Sequence, residues 1–230
     1  MKIRTFFSLL LIAVLGLFAA NGAFAKKQEF PDVTVDGLHR VADSKLAVVY
    51  AEPGADLAPY KRVQLLDAYV AFKKNWERDQ RTRSASNFRV TSKDIEKIKT
   101  TLAEEFQTVF KEALLEAGYE VTDEAGEDVM IVRPAIINLD VNAPDTPHAG
   151  RSNTYTASAG EMTLYIELYD SVTGDIIAKA LDRQLDRANA GFYTWTNSVT
   201  NRAAALRILR GWAKILVNAL NEAKTYGSEG

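Results

Sequence analysis

Two apolar stripes at helical spacing, one in the middle of the chain and one near its end, constrain the fold more than any other feature. Ile95, Ile98, Leu102, Phe106, Val109, Ala113 and Ala117 recur three and four residues apart, with Phe110 and Leu114 widening the stripe. Val199, Ala203, Leu206, Leu209, Ala213, Leu216 and Leu220 repeat the pattern over about residues 199–223, with Trp212 and Ile215 beside it. An amphipathic helix must lay its apolar face on a partner surface, so the rest of the chain has to supply one. The first helix has marked ends. Thr91 and Asp94 stand three apart as an N-terminal cap with an acid in the first turn, and Gly118 supplies a left-handed stop.

The segments between the stripes alternate with period two and predict strands. "LAVVY" (46–50) is a short apolar strand, and Pro53-Gly54 punctuates the connection after it. In "KRVQLLDAYVAFKK", Val63 and Leu65 alternate in one phase and Leu66, Ala68, Val70 and Phe72 in the other, which predicts a bulge near Leu65 and Leu66. "YEVTD" and "DVMIVRPAIINLDV" follow, the second apolar on both faces, with Pro134 predicting a bulge or an unpaired edge. "ELYDSVTGDIIAKALDRQ" (167–184) crowds acids and bases around one small turn. Its two alternating runs and Gly174 predict a β-hairpin with a type I turn and a bulge, so its charges are expected on the turn and the solvent face. Strands and helices in this order predict an α+β fold, a two-layer sandwich of a mostly antiparallel sheet with two long helices on one face.

The chain opens with Lys2 and Arg4, an apolar run from Phe6 to Ala20, and Ala23-Phe24-Ala25. That pattern predicts a secretory signal peptide, residues 1–25, cleaved after Ala25, then a polar leader (26–45) and one α+β domain (46–225) in the periplasm. No transmembrane segment is expected in the mature chain. There is no cysteine, which excludes disulfides, thiolate metal sites and a cysteine nucleophile. Without Lys2 and Arg4, 26 basic residues face 30 acidic ones, a formal net charge of −4, so nucleic acid is not expected as a partner.

Four stretches carry a family resemblance: "PGADLAPYKRVQLLDAYVAFKKNWERD" (53–79), "TLAEEFQTVFKEALLEAGYEV" (101–121), "DVMIVRPAIINL" (128–139) and "LYDSVTGDIIAKALDRQ" (168–184). In this order they resemble the bacterial envelope proteins catalogued as domain of unknown function family 3313, usually described as lipoproteins. The most specific pieces are "PGADL…Y" and "DSVTG". Many relatives carry a lipobox cysteine after the signal, whereas this chain has Ala25-Lys26, so the resemblance brings no membrane anchor. It implies fold and compartment and brings no catalytic residues.

No catalytic or metal-binding set emerges, and no cofactor is expected. The aspartates Asp128, Asp140, Asp145, Asp170, Asp175 and Asp182 fall at strand ends and turns without a catalytic spacing, and the two histidines, His39 and His148, are scattered. A phosphate-binding glycine loop and a G-x-S-x-G elbow are both missing.

Two candidate binding surfaces remain. The segment 73–89 carries Lys73, Lys74, Arg78, Arg81, Arg83 and Arg89 against Glu77 and Asp79, with Trp76 and Phe88 as aromatic bookends. Read as a loop, it offers Arg78, Arg81 and Arg83 to an anion, with Trp76 as an apolar anchor. The second surface is the sheet face opposite the helices. With Leu66, Val70, Leu164 and Leu168 turned inward, Tyr69, Tyr165, Tyr169, Asp67 and Glu167 point outward. The expected function is a non-catalytic binding or accessory component of the envelope, its partner a protein or an anionic glycan or lipid. The alternative is a small periplasmic hydrolase with catalytic residues dispersed in sequence.

Overall fold

Alternation along the strands decides which side of the sheet each residue serves, and the helices take the more apolar side. The computed structural model describes residues 29–83, 90–141, 154–156, 160–185, 194–196 and 198–227, and the fold is that of the compact unit Pro31–Gly230. The expected signal peptide, Phe88, Arg89, Asp145 and His148 lie outside the described residues.

Ten strands and three helices are present among the described residues. In chain order they are β1 (His39–Arg40), β2 (Val48–Ala51), β3 (Arg62–Leu65), β4 (Tyr69–Phe72), α1 (Trp76–Arg83), α2 (Ser92–Glu116), β5 (Glu120–Val121), β6 (Val129–Val141), β7 (Thr154–Thr156), β8 (Gly160–Asp170), β9 (Ile176–Leu185), β10 (Thr194–Thr196) and α3 (Ser198–Gly227). Eight strands form one sheet in the order β1-β2-β9-β8-β6-β3-β5, with β4 also paired to β6; β7 and β10 form a separate two-stranded sheet. The β1, β2, β9, β8 and β6 neighbours are antiparallel, while β3 and β4 run parallel to β6 and β5 runs parallel to β3. The result is the two-layer α+β sandwich that the sequence predicts.

The predicted phase slip is a break between two strands. β3 ends at Leu65 opposite Val132, and β4 begins at Tyr69 opposite Ala135. Leu65, Ala68 and Val70 are buried in the core, so Leu65 takes the inward place expected of Leu66. Pro134 stands inside the sheet, paired with Ile166 of β8, where the sequence suggests an edge. It sits opposite the gap between β3 and β4, so on that side no ladder donor is needed.

The core lies between the sheet and the helices α2 and α3. Val63, Val70, Met130, Val132, Ile136, Leu164, Ile166 and Leu168 face Phe106, Phe110, Leu114, Leu209, Trp212 and Leu220. Phe106 and Leu209, central in the two sequence stripes, are fully buried. α2 begins with a complete capping box at Thr91 and Asp94. It ends in a Schellman motif, in which Tyr119 N–H donates to Leu114 O and Gly118 N–H to Leu115 O around a left-handed Gly118.

The hairpin β8–β9 forms as its sequence predicts. Gly174 is left-handed with φ 75°, and the ladder shifts register between Leu168 and Tyr169. Asp170 shapes the turn by accepting N–H bonds from Val172 at 2.8 Å and Thr173 at 2.7 Å, and the Tyr60 hydroxyl at 2.8 Å. Between β6, which ends at Val141, and β8, which begins at Gly160, residues Thr154–Thr156 form β7.

Residues 31–45, read from sequence as a leader, pack on the sheet. β1 pairs with β2, Leu38 is buried, the Tyr50 hydroxyl donates to Pro31 O at 2.7 Å, and Asp36 pairs with Lys179.

Candidate functional site

Register places a line of charges across the sheet face that turns away from the helices. Residues paired on adjacent strands share a face, so Arg133, Glu167, Lys179, Tyr50 and Arg40 stand side by side on β6, β8, β9, β2 and β1. The neighbouring row holds Tyr69, Ala135, Tyr165, Leu181 and Val48, and on the other side Ile131 is paired with Tyr169. Glu167 lies at the centre of these rows. Residues two apart on a strand point the same way, which brings Tyr165 and Tyr169 to either side of it.

The geometry around Glu167 is closed. Glu167 is only 5% exposed. Oε1 accepts the Tyr165 hydroxyl at 2.5 Å, Oε2 accepts the Tyr169 hydroxyl at 2.9 Å, and Arg133 forms an ion pair with Oε2. The Arg133 guanidinium also lies 5.4 Å from the centre of the Tyr169 ring. A buried carboxylate is tolerated only with such partners, because taking an unpaired charge out of water costs several kcal/mol or more. Burial, and then the carboxylate beside them, push both phenols well above the ordinary tyrosine range. Both hydroxyls therefore stay protonated, and their hydrogens are committed to Glu167. The cluster fixes the two rings in place and offers neither a free base nor a nucleophile.

Of the residues expected on this face, Tyr165 and Tyr169 converge on Glu167. Tyr69 lies one row over and two strands from Tyr165, and it is 46% exposed. Asp67 departs from the expected set. It falls in the break between β3 and β4 and accepts a hydrogen bond at 3.2 Å from Gln107 of α2.

The second candidate changes more. The segment read as a loop contains α1, and Trp76 is buried in place of forming an exposed anchor. Its ring stacks on Phe72 with centroids 4.2 Å apart, and its Nε1–H donates to Val141 O at 3.3 Å. Gln80, one turn later and also buried, donates to the same carbonyl at 3.2 Å. These two residues dock the helix, which explains why Trp76 cannot reach out to a partner. Arg78 remains exposed and contacts Asp79 at 3.4 Å. Arg81 and Arg83 belong to the last turn of α1, and their side chains lie outside the described residues. A cleft of about 430 Å³ opens between the end of β4, the start of α1 and the first turns of α2, lined by Ala71, Phe72, Lys73, Asn75, Trp76, Glu77, Arg78, Ile95 and Lys99.

Two buried carboxylates were missed by reading the hairpin's charges as solvated. Glu167 is one. Asp182 is the other, and it faces the helices instead of solvent, only 4% exposed, accepting Trp212 Nε1–H at 2.7 Å, Gln184 Nε2–H at 2.7 Å and Ala47 N–H at 3.0 Å. Its register opposite Leu164, an inward residue, is the signal that the alternation of β9 carried. Asp128 is bound to the Arg62 guanidinium at 2.6 Å, which holds its carboxyl below the usual range. Among the described residues, no group of three or more His, Asp or Glu side chains is placed to hold a metal ion, and no helix is long and apolar enough to cross a membrane.

Fold and site together define an α+β sandwich whose outer sheet face carries a locked tyrosine, arginine and glutamate cluster. The chain belongs to the family described as Protein of unknown function (DUF3313), whose model matches residues 33–216. Among solved structures, it is similar to protein XCC0632 from Xanthomonas campestris at 9% identity, over 77% of this chain and 93% of that one, with a TM-score of 0.42. It is also similar to the PelC dodecamer from Paraburkholderia phytofirmans at 11% identity (74% of this chain, 96% of that one, TM-score 0.38). A neuraminyllactose-binding hemagglutinin homolog from Helicobacter pylori is 12% identical (76% and 93%, TM-score 0.35). No curated protein matches the chain.

Proposed function

We propose that the protein is an exported, non-catalytic component of the cell envelope that binds a protein partner through the outer face of its sheet. The signal-peptide pattern of residues 1–25 supports export to the periplasm. The observation that carries the binding role is the Glu167 cluster: a buried carboxylate holds Tyr165, Tyr169 and Arg133 in fixed positions, with exposed Tyr69 one row away. Tyrosine and arginine are enriched at protein interfaces, where rigid aromatic area is gained with little loss of side-chain entropy. Residues 31–45 pack over the Tyr50 and Lys179 end of this face, so the contact is assigned to the end around Tyr69, which is 46% exposed.

The test is recovery of envelope proteins on the immobilised protein, comparing wild type with Tyr69→Ala. Tyr69 is half exposed and bears no core contact, so melting should be unchanged while one envelope protein is lost from the bound fraction. Equal recovery by both proteins would exclude Tyr69 from the interface. Recovery of a polysaccharide in place of a protein would replace the partner class.

A further inference from the structure

We propose that the cleft at the end of β4 is a binding site for a small organic anion, a ring bearing one phosphate or carboxylate. It does not depend on the partner surface proposed above. Its volume, about 430 Å³, falls within the range of roughly 300 to 1,000 Å³ of small-molecule sites.

The lining divides into an apolar floor and a cationic rim. Phe72 forms the floor, and Trp76, which is 3% exposed, backs it by stacking on Phe72 and is fixed by its hydrogen bond to Val141 O. Ile95 adds a wall from α2. Lys73 in the turn after β4, Arg78 of α1 and Lys99 of α2 line the cleft, with Glu77 the one carboxylate in its lining. Sequence spacing joins Lys73 and Arg78 to Trp76, but only the fold brings Lys99 of α2 to them.

The rim cations have acidic neighbours of their own, and the nature of those pairs decides whether a ligand can compete. Arg78 meets Asp79 at 3.4 Å and Lys99 meets Glu96 at 2.8 Å, with acid side chains 48% and 68% exposed. The Lys99 pair, exposed at its acid, contributes about 0 to 1 kcal/mol, so an entering anion replaces it at small cost. Lys73 is held more firmly by Asp140 at 3.1 Å and helps shape the rim. A ring on Phe72 then sets its anionic group against Arg78 and Lys99, where a guanidinium and an ammonium suit phosphate or carboxylate oxygens.

The experiment follows the Trp76 indole N–H by nitrogen-15 NMR of the purified protein, assigned by sequential connectivity, during titration with phenyl phosphate, benzoate and inorganic phosphate. The expected result is a saturable shift of the Trp76 indole with phenyl phosphate or benzoate, whichever anion the rim prefers, and at least tenfold weaker binding of inorganic phosphate. In a double variant, Arg78→Gln with Lys99→Gln, melting should be unchanged and affinity for the ring-bearing anion should fall at least tenfold. The proposal is overturned if the indole does not move with either ring at millimolar concentration. It is equally overturned if inorganic phosphate binds as tightly as the rings, or if the double variant binds like wild type.

Discussion

Replacing Trp212 by phenylalanine removes one atom pair that ties α3 to the sheet. Trp212 Nε1–H donates to Asp182 at 2.7 Å in a site where both residues are buried. A hydrogen bond to a charged acceptor contributes about 1.5 to 3 kcal/mol, and its loss leaves part of a buried carboxylate unsatisfied. The smaller ring leaves a void that adds about 1 kcal/mol. Trp212→Phe should therefore cost about 2.5 to 4 kcal/mol. Urea unfolding is the assay: with a slope of about 2 kcal/mol per molar for a domain of this size, the midpoint should fall by roughly 1 to 2 M at unchanged slope. Repeating the change in an Asp182→Asn background separates bond from void, because the charge-assisted component is then already absent and the cost should shrink by about 1 kcal/mol. A loss below about 0.5 kcal/mol, or the same loss in both backgrounds, would refute the view that this pair anchors the helix.

Phe106→Ala should cost about 3 to 5 kcal/mol and Leu209→Ala about 2 to 5 kcal/mol, measured by the same unfolding curves, since both side chains are fully buried in the shared core. Asp170 is held below the usual carboxylate range, chiefly by the N–H of Thr173 and also by Tyr60 and Val172. Its contribution is full above its unfolded value of about 3.9 and is lost as pH falls through the lower native value, so Asp170→Asn should flatten the stability curve in that acid window and stability profiles from pH 5 to 2 check it. Gly160→Ala places a Cβ 2.3 Å from the backbone oxygen of Asp140, which should destabilise by about 1 to 3 kcal/mol in thermal melts.

The parts of the fold legible in the sequence are those where one local rule acts alone. The stripe of α2, that of α3 from Leu206 onward (Ala204 is buried where the spacing expects Ala203), the Thr91 cap, the Gly118 stop and the β8–β9 turn each follow from spacing or from a single residue's backbone preference. α1 escaped because it is short and polar, and what holds it is the meeting of Trp76 and Gln80 with a carbonyl about sixty residues on. Pro134 misled for a similar reason: its place is set by a gap between two other strands. Residues 31–45 carry no period, and their packing depends on Leu38 and on Asp36 finding Lys179 far along the chain.

The candidate site divides in the same way. Alternation alone put Tyr165 and Tyr169 on the outer face, but the burial of Glu167 between them needs Arg133 of β6 beside it. A charge in a strand reads as solvated until a cross-strand partner is known. The buried Asp182 shows the converse, since its inward register was visible while its partner Trp212 lay on a helix thirty residues later.

Whether the outer sheet face meets a protein in the envelope can be measured in intact cells by placing the photo-crosslinking residue p-benzoylphenylalanine at Tyr69. Leu115, half exposed on α2, serves as the control position. The expected result is a covalent adduct of one envelope protein at position 69, with none at position 115. No adduct at 69, or the same adducts at both positions, would contradict the assignment of this face as the interface.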